Sequence, residues 1–180
     1  MRRADGAASV EFRALGEGDL PLLHDWLGRP HVAEWWGSPP DIDDVRDEYL
    51  AAKAYLAWSG DQAIGFVQSY VAADAGDGWW PDEQDRGVVG IDVFLADATQ
   101  LDKSYGSAMV MAFVAFLFRD PAVTRIIVDP KPTNGRAMRC FEKAGFNPEH
   151  TINTPDGAAL LMQLDRTPAY GVGAAGAPRG

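Results

Sequence analysis

Cysteine is almost absent from this chain. Cys140 is the only one, so no disulfide can close within it, and a reducing cytoplasm is the expected home. Histidine is scarce as well: His24, His31 and His150 show no metal-ligand spacing with one another or with acidic residues, so no metal is expected. No apolar run approaches the roughly 18 residues that a membrane span requires. The basic start, Met1-Arg2-Arg3, leads straight into polar sequence, so neither a signal peptide nor an anchor is expected. Positive charge is short: 16 Lys and Arg face 26 Asp and Glu, a net charge of −10 with a pI near 4.6. Such a field repels phosphate backbones and anionic lipid, which argues against nucleic-acid and membrane partners. It attracts cationic small molecules such as polyamines and amino sugars, although an acidic balance also serves plain solubility.

What remains is enough for one domain. The 180 residues are 47% hydrophobic, sufficient for a single full core. The expected domain covers residues 8–166, and the small-residue stretch 167–180 reads as a flexible tail. Alternation at Ser9 to Leu15 predicts a first strand, and Leu20, Leu22, Leu23, Trp26 and Leu27 form a helical stripe over Asp19 to Leu27. A second helix is expected from Asp41 to Lys53, its acidic first turn matching the helix dipole. Tyr55 to Trp58 and Ala63 to Val71 read as a hairpin, and Val88 to Leu95 as an apolar strand. Ser107 to Phe118 carries no charge, so a helix there is expected to be buried on most sides. Thr124 to Asp129 reads as a strand, Asn134 to Ala144 as a helix closed by Gly145, and two last strands flank Thr154-Pro155-Asp156-Gly157. Hairpins mixed with parallel crossovers predict an α/β (α+β) domain with a mixed sheet and helices on its faces.

Four features could carry chemistry. The loop Gln100 to Ala108 joins a strand to a helix N-terminus, with small residues at Ser104, Gly106, Ser107 and Ala108. Free amides, the positive dipole end and Lys103 could hold a pyrophosphate there; the alternative is an ordinary turn, since neither phosphate-loop fingerprint is present. Asp92 lies inside an apolar strand, where a carboxylate needs a cavity, a cation or a hydrogen-bond cluster. Trp35-Trp36 precedes the acids from Asp41 to Glu48, and Trp79-Trp80 is bracketed by Asp74, Asp77, Asp82, Glu83 and Asp85. Indole faces beside carboxylates suit a hydrophilic polycation, and Gly76-Asp-Gly-Trp-Trp-Pro81 leaves little room to bury both indoles. Finally, Asp129 to Asn134 runs into a helix that Thr133 or Asn134 could simply cap.

The element order, the Gln100 to Ala108 loop and Asn134-Gly-Arg-Ala-Met-Arg-Cys-Phe-Glu-Lys-Ala-Gly-Phe146 together resemble the GNAT N-acetyltransferases. Asp25-Trp-Leu27, His31-Val-Ala-Glu-Trp-Trp-Gly37, Gln68-Ser-Tyr-Val71, Gly76-Asp-Gly-Trp-Trp80, Gly90-Ile-Asp92 and Thr154-Pro-Asp-Gly157 narrow the resemblance to the aminoglycoside 6′-N-acetyltransferases. It runs from about Val10 to Leu164 and implies the GNAT fold: a mixed sheet of about seven strands, helices on both faces, and acetyl-coenzyme A bound in a split between two central strands. No metal is implied.

The resemblance further implies that Asp92 holds or deprotonates the attacking amine. Trp36, Trp79 and Trp80 would wall the sugar site, and Asp77, Asp129 and Asp156 would meet other ammonium groups. Val93, Phe94 and Leu95 would face the acetyl group; Gln100, Lys103, Ser104, Tyr105, Gly106 and Ser107 would cradle the pyrophosphate; Asn134 and Phe141 would lie along the pantetheine arm. Two positions depart from the pattern. Ser104 stands where the family loop has its first glycine, and Phe141 replaces a tyrosine taken to protonate the leaving thiolate. The expected activity is therefore acetylation of an aminoglycoside, giving resistance, by a monomer or homodimer. Acetylation of another amine (a polyamine, a siderophore precursor or a protein amino group) and mere sequestration of a cationic ligand are the alternatives.

Overall fold

The computed structural model describes residues 9–37 and 41–170. Seven strands form one sheet: β1 (Val10–Ala14), β2 (Lys53–Ser59), β3 (Gln62–Val71), β4 (Val88–Leu95), β5 (Arg125–Val128), β6 (Asn147–Thr154) and β7 (Gly157–Asp165). They lie in the order β1-β2-β3-β4-β5-β7-β6. Every neighbouring pair is antiparallel except β4 and β5. The helices are α1 (Leu20–Leu27), α2 (Pro30–Trp36), α3 (Ile42–Tyr49), α4 (Tyr105–Leu117) and α5 (Gly135–Lys143).

Period-two alternation along the strands sorts the core into two layers. Leu56, Phe66, Phe94 and Ala96 pack with α1, α2 and α3 on one face. Val67, Val89, Ile91 and Leu95 pack with α4 and α5 on the other. The expected seven-stranded mixed sheet with helices on both faces is what forms.

Several boundaries differ from expectation. The second predicted helix starts where its acids suggested, with the Asp41 side chain accepting from the amides of Asp43 and Asp44 at 3.0 and 3.1 Å, but it ends at Tyr49 rather than Lys53, where the chain turns into β2. An unforeseen short helix, α2, opens on Pro30 and stops at Gly37, whose φ of 85° only glycine adopts freely. Helix α4 is not buried on most sides. Met109, Val110, Phe113 and Val114 are inside, whereas Met111 is 52% exposed and Ala108 and Ala115 face solvent; alanines cost little there, so a charge-free helix can still have a wet face. The tail expected from residue 167 is ordered through Tyr170, whose ring packs 4.8 Å from that of Phe118. The rest of it, 171–180, lies outside the described residues.

Candidate functional site

The parallel ladder between β4 and β5 covers only Val88, Val89 and Gly90, while β4 stays paired with β3 out to Leu95. From Ile91 onward the two central strands part, and a cleft of about 900 Å³ occupies the divergence. Along β4 the amides alternate sides. Ala96 N–H bonds Ile64 O on the β3 side at 2.9 Å, so the peptide groups of Val93 and Leu95 point to the open edge. The Leu95 carbonyl meets His31 Nε2 at 2.9 Å, tying α2 to that edge. The expected Val93, Phe94 and Leu95 all line the cleft.

At one end the cleft is acidic and aromatic. Asp92, Asp77, Asp129 and Asp156 line it, with Trp36 and Trp79 as aromatic walls. Trp36 is anchored edge-on to Phe66 and Phe94, at 5.9 and 5.1 Å. Half-buried Asp92 accepts a 2.8 Å hydrogen bond from Gln68 Nε2. Burial pushes its carboxyl up from the ordinary range, the Gln68 bond opposes that, and nearby Glu48 adds to it. Asp129 is pushed up to about 7, chiefly by burial and then by the charge of Asp92. The acids thus crowd one another, as carboxylates do when a cation is meant to lie among them. Burial also raises the phenols of Tyr49 and Tyr70 above the usual tyrosine range.

Trp80 is the one expected wall that the cleft does not include. Its indole packs against Ala72, Val88 and Ile127, and its Nε1 donates to Tyr70 Oη at 3.1 Å. A loop with left-handed backbone at Gly76, Asp77, Gly78 and Trp80 turns the two neighbouring indoles in different directions. Tyr70 in turn lies flat over Gly90, where a Cβ would come 2.2 Å from its ring. Sequence reasoning missed Glu48, Tyr49 and Tyr70 as lining residues. Glu48 reads as one more solvated acid on α3, and no sequence signal reveals the strand register that brings the tyrosine in.

The other end is built from backbone and bases. Lys131, Asn134, Arg136, Cys140 and Phe141 line it. Asn134 Oδ1 accepts from Ala137 N–H at 3.1 Å, so it does cap α5. Phe141 packs on Phe146 and presents no hydroxyl. Burial pushes the Cys140 thiol up to about 11. Lys103, Ser104, Tyr105, Gly106 and Ser107 do not line the cleft itself; they form the α4 N-terminus beside it, next to the lining residues Leu101 and Asp102. Ser104 tolerates its Cβ in a left-handed conformation, φ 67°. The Ser107 hydroxyl is spent on Ser104 O at 3.1 Å. Ala108 N–H is the first to bond back, to Ser104 O, which leaves the amides of residues 105–107 without intrahelical acceptors. A Cβ at Gly106 would meet Cys140 Sγ at 3.2 Å, so α4 and α5 approach closely here. Gln100 Oε1 is buried without a partner in the same loop. Free amides, the helix dipole and exposed Lys103 fit a pyrophosphate-bearing acyl carrier. Among the described residues no group of three or more His, Cys, Asp or Glu could hold a metal ion, and no helix is long and apolar enough to cross a membrane.

The comparisons with known proteins agree with this geometry. Residues 16–154 match the family model described as an acetyltransferase (GNAT) domain. The chain is 48% identical over 168 residues to the aminoglycoside N(6′)-acetyltransferase type 1 of Klebsiella pneumoniae, spanning 88% of this chain and 84% of that one. It is 55% identical over 88 residues to a kanamycin resistance protein of Rhizobium radiobacter, 49% of this chain and 82% of the other. The crystal structure of the aminoglycoside acetyltransferase AAC(6′)-Ib in complex with coenzyme A and kanamycin superposes with a TM-score of 0.84 at 48% identity, covering 88% of this chain and 95% of that one.

Proposed function

The chain belongs to the GNAT acetyltransferases, and from that membership we propose that its cleft transfers the acetyl group of acetyl-coenzyme A to the 6′-amine of aminoglycoside antibiotics, conferring resistance by removing a positive charge from the drug. The observation that carries this reading is the acid-lined, tryptophan-walled cleft lying where β4 and β5 part, with Asp92 inside it.

Acetyl-coenzyme A supplies an activated acyl group and a thiol leaving group. The chain's own residues do the rest. Asp92 accepts the proton of the 6′-ammonium, directly or through one water, so that a neutral amine is presented. Asp77, Asp129 and Asp156 receive the remaining ammonium groups and orient the sugar against Trp36 and Trp79. The free peptide N–H at Val93 is aimed at the open edge, where a carbonyl oxygen developing negative charge is stabilised. Asn134, Lys131, Arg136 and the α4 N-terminus with Lys103 hold the phosphate-bearing arm. Phe141 cannot give up a proton, so water protonates the departing thiolate. The reaction belongs to the cytoplasm, where acetyl-coenzyme A is at hand and Cys140 stays reduced.

The test is thiol release from acetyl-coenzyme A by the purified protein, with kanamycin compared against spermidine and lysine. Saturable release with kanamycin at far lower concentration than with the other amines is expected. Preference for spermidine or lysine would overturn the substrate, and tight kanamycin binding without release would overturn the enzyme.

A further inference from the structure

We propose that Gln68 is a positioning residue, whose cross-strand hydrogen bond holds the Asp92 carboxylate in its ionised working form. The inference rests on the role assigned to Asp92 above and concerns how that role is maintained. Gln68 and Asp92 are register partners on adjacent antiparallel strands, so their side chains rise from the same face of the sheet. Gln68 Nε2 lies 2.8 Å from Asp92 Oδ2, and no ion pair involving Asp92 forms among the described residues. Binding one carboxylate oxygen leaves the other for the substrate and stops the group from rotating away.

The same bond sets the charge. The groups that face Asp92 from the surrounding elements oppose its ionisation or leave it unaided: Glu48 and Tyr49 on α3, Tyr70 on β3, Asp129 after β5 and Asp156 in the β6–β7 turn. His31 on α2 is engaged with Leu95 O, and Arg136 on α5 with Asp102. Burial favours the neutral acid, and a carboxyl that holds its proton cannot take one from an ammonium. Gln68 can only donate through its amide nitrogen, and a donor favours the carboxylate. Cross-strand glutamine is therefore a neutral device that keeps Asp92 competent without adding a positive charge that would repel the substrate.

Two variants test this. Gln68→Met keeps the length and removes the donor, and Gln68→Glu keeps the shape and replaces the donor with a second acid. The first readout needs no substrate: titration of carboxyl carbons in protein labelled at aspartate, with the Asp92 signal assigned by its loss in Asp92→Asn. Both variants should move the Asp92 midpoint upward, Gln68→Glu further than Gln68→Met. An unmoved midpoint in the folded variants overturns the proposal, and Gln68→Glu alone decides it if Gln68→Met fails to fold. The second readout is kcat/KM for kanamycin in Gln68→Met against the parent, the amine's own ionisation being common to both. It should fall about tenfold at pH 6.5 and recover to within about twofold at pH 9. An equal loss at both pH values would mean a merely structural residue. If the parent itself released no thiol with kanamycin, the proposed function would fail while the carboxyl titration still judged Gln68.

Discussion

The two ends of the cleft are made from different materials. The acceptor end uses side chains: Asp92 on β4, Asp129 just after β5, Asp156 in the β6–β7 turn, Trp36 on α2 and Trp79 in the loop between β3 and β4. The donor end relies on backbone: the open edge of β4 and the free amides at the start of α4, with Lys103 and Arg136 as charged accessories. Side chains can be exchanged without disturbing the strands that bear them, so recognition of the amine is adjustable. A row of peptide groups cannot be exchanged, so the arrangement for the common acyl donor is fixed by the fold. One end therefore determines what is acetylated, and the other that acetylation occurs at all.

Substitutions can break that division of labour. The largest effect is expected at Asp92→Asn, which keeps the shape and the Gln68 contact's geometry but cannot take a proton. Its kcat should fall by about 10² to 10⁴, while calorimetry finds acetyl-coenzyme A bound as before; a matching loss of donor binding would merge the two ends. Next, Gly106→Val pushes a branched side chain against Cys140 Sγ and Leu95, prising α4 from α5. KM for acetyl-coenzyme A should rise about tenfold with the kanamycin KM unchanged. Asp129→Asn should do the reverse, raising the kanamycin KM about fivefold and leaving the donor alone.

The sign of a pH effect follows from the same residue. With its carboxyl at about 7, Asp129 gains a proton and loses its negative charge as pH falls from 8 to 6. Kanamycin KM should rise over that interval in the parent and much less in Asp129→Asn, as steady-state titrations would show. The smallest effect is expected at exposed Lys103→Ala, about a twofold rise in the donor KM that fades with added salt.

How much of this could be read from residues alone follows the same line. Strand β4 was legible to the residue, because Val88 to Leu95 is apolar but for Asp92, which stood out as the wrong chemistry inside it. The helix at Asp41 announced itself through its acidic first turn, and the structure adds Asp41 as its cap. Helix α2 did not: seven residues are too few to show a period, and its start and stop rest on Pro30 and Gly37. The pair Trp79-Trp80 looked like one aromatic wall, yet the backbone turns sharply between them and sends Trp80 onto Tyr70. Gln68 lies 24 residues from Asp92, and only strand register makes them neighbours. Residue types and local spacing were visible; orientation about a loop and pairing across a sheet depend on tertiary contacts that no local pattern encodes.

The most direct measurement of the central claim is the position of the acetyl group on kanamycin after incubation with the protein and acetyl-coenzyme A, read by nuclear magnetic resonance of the purified product. A single acetyl on the 6′-nitrogen, lost when Asp92 is replaced by Asn, is the predicted result. Acetyl on another amine, a mixture of sites, or undiminished 6′-acetylation by Asp92→Asn would contradict it.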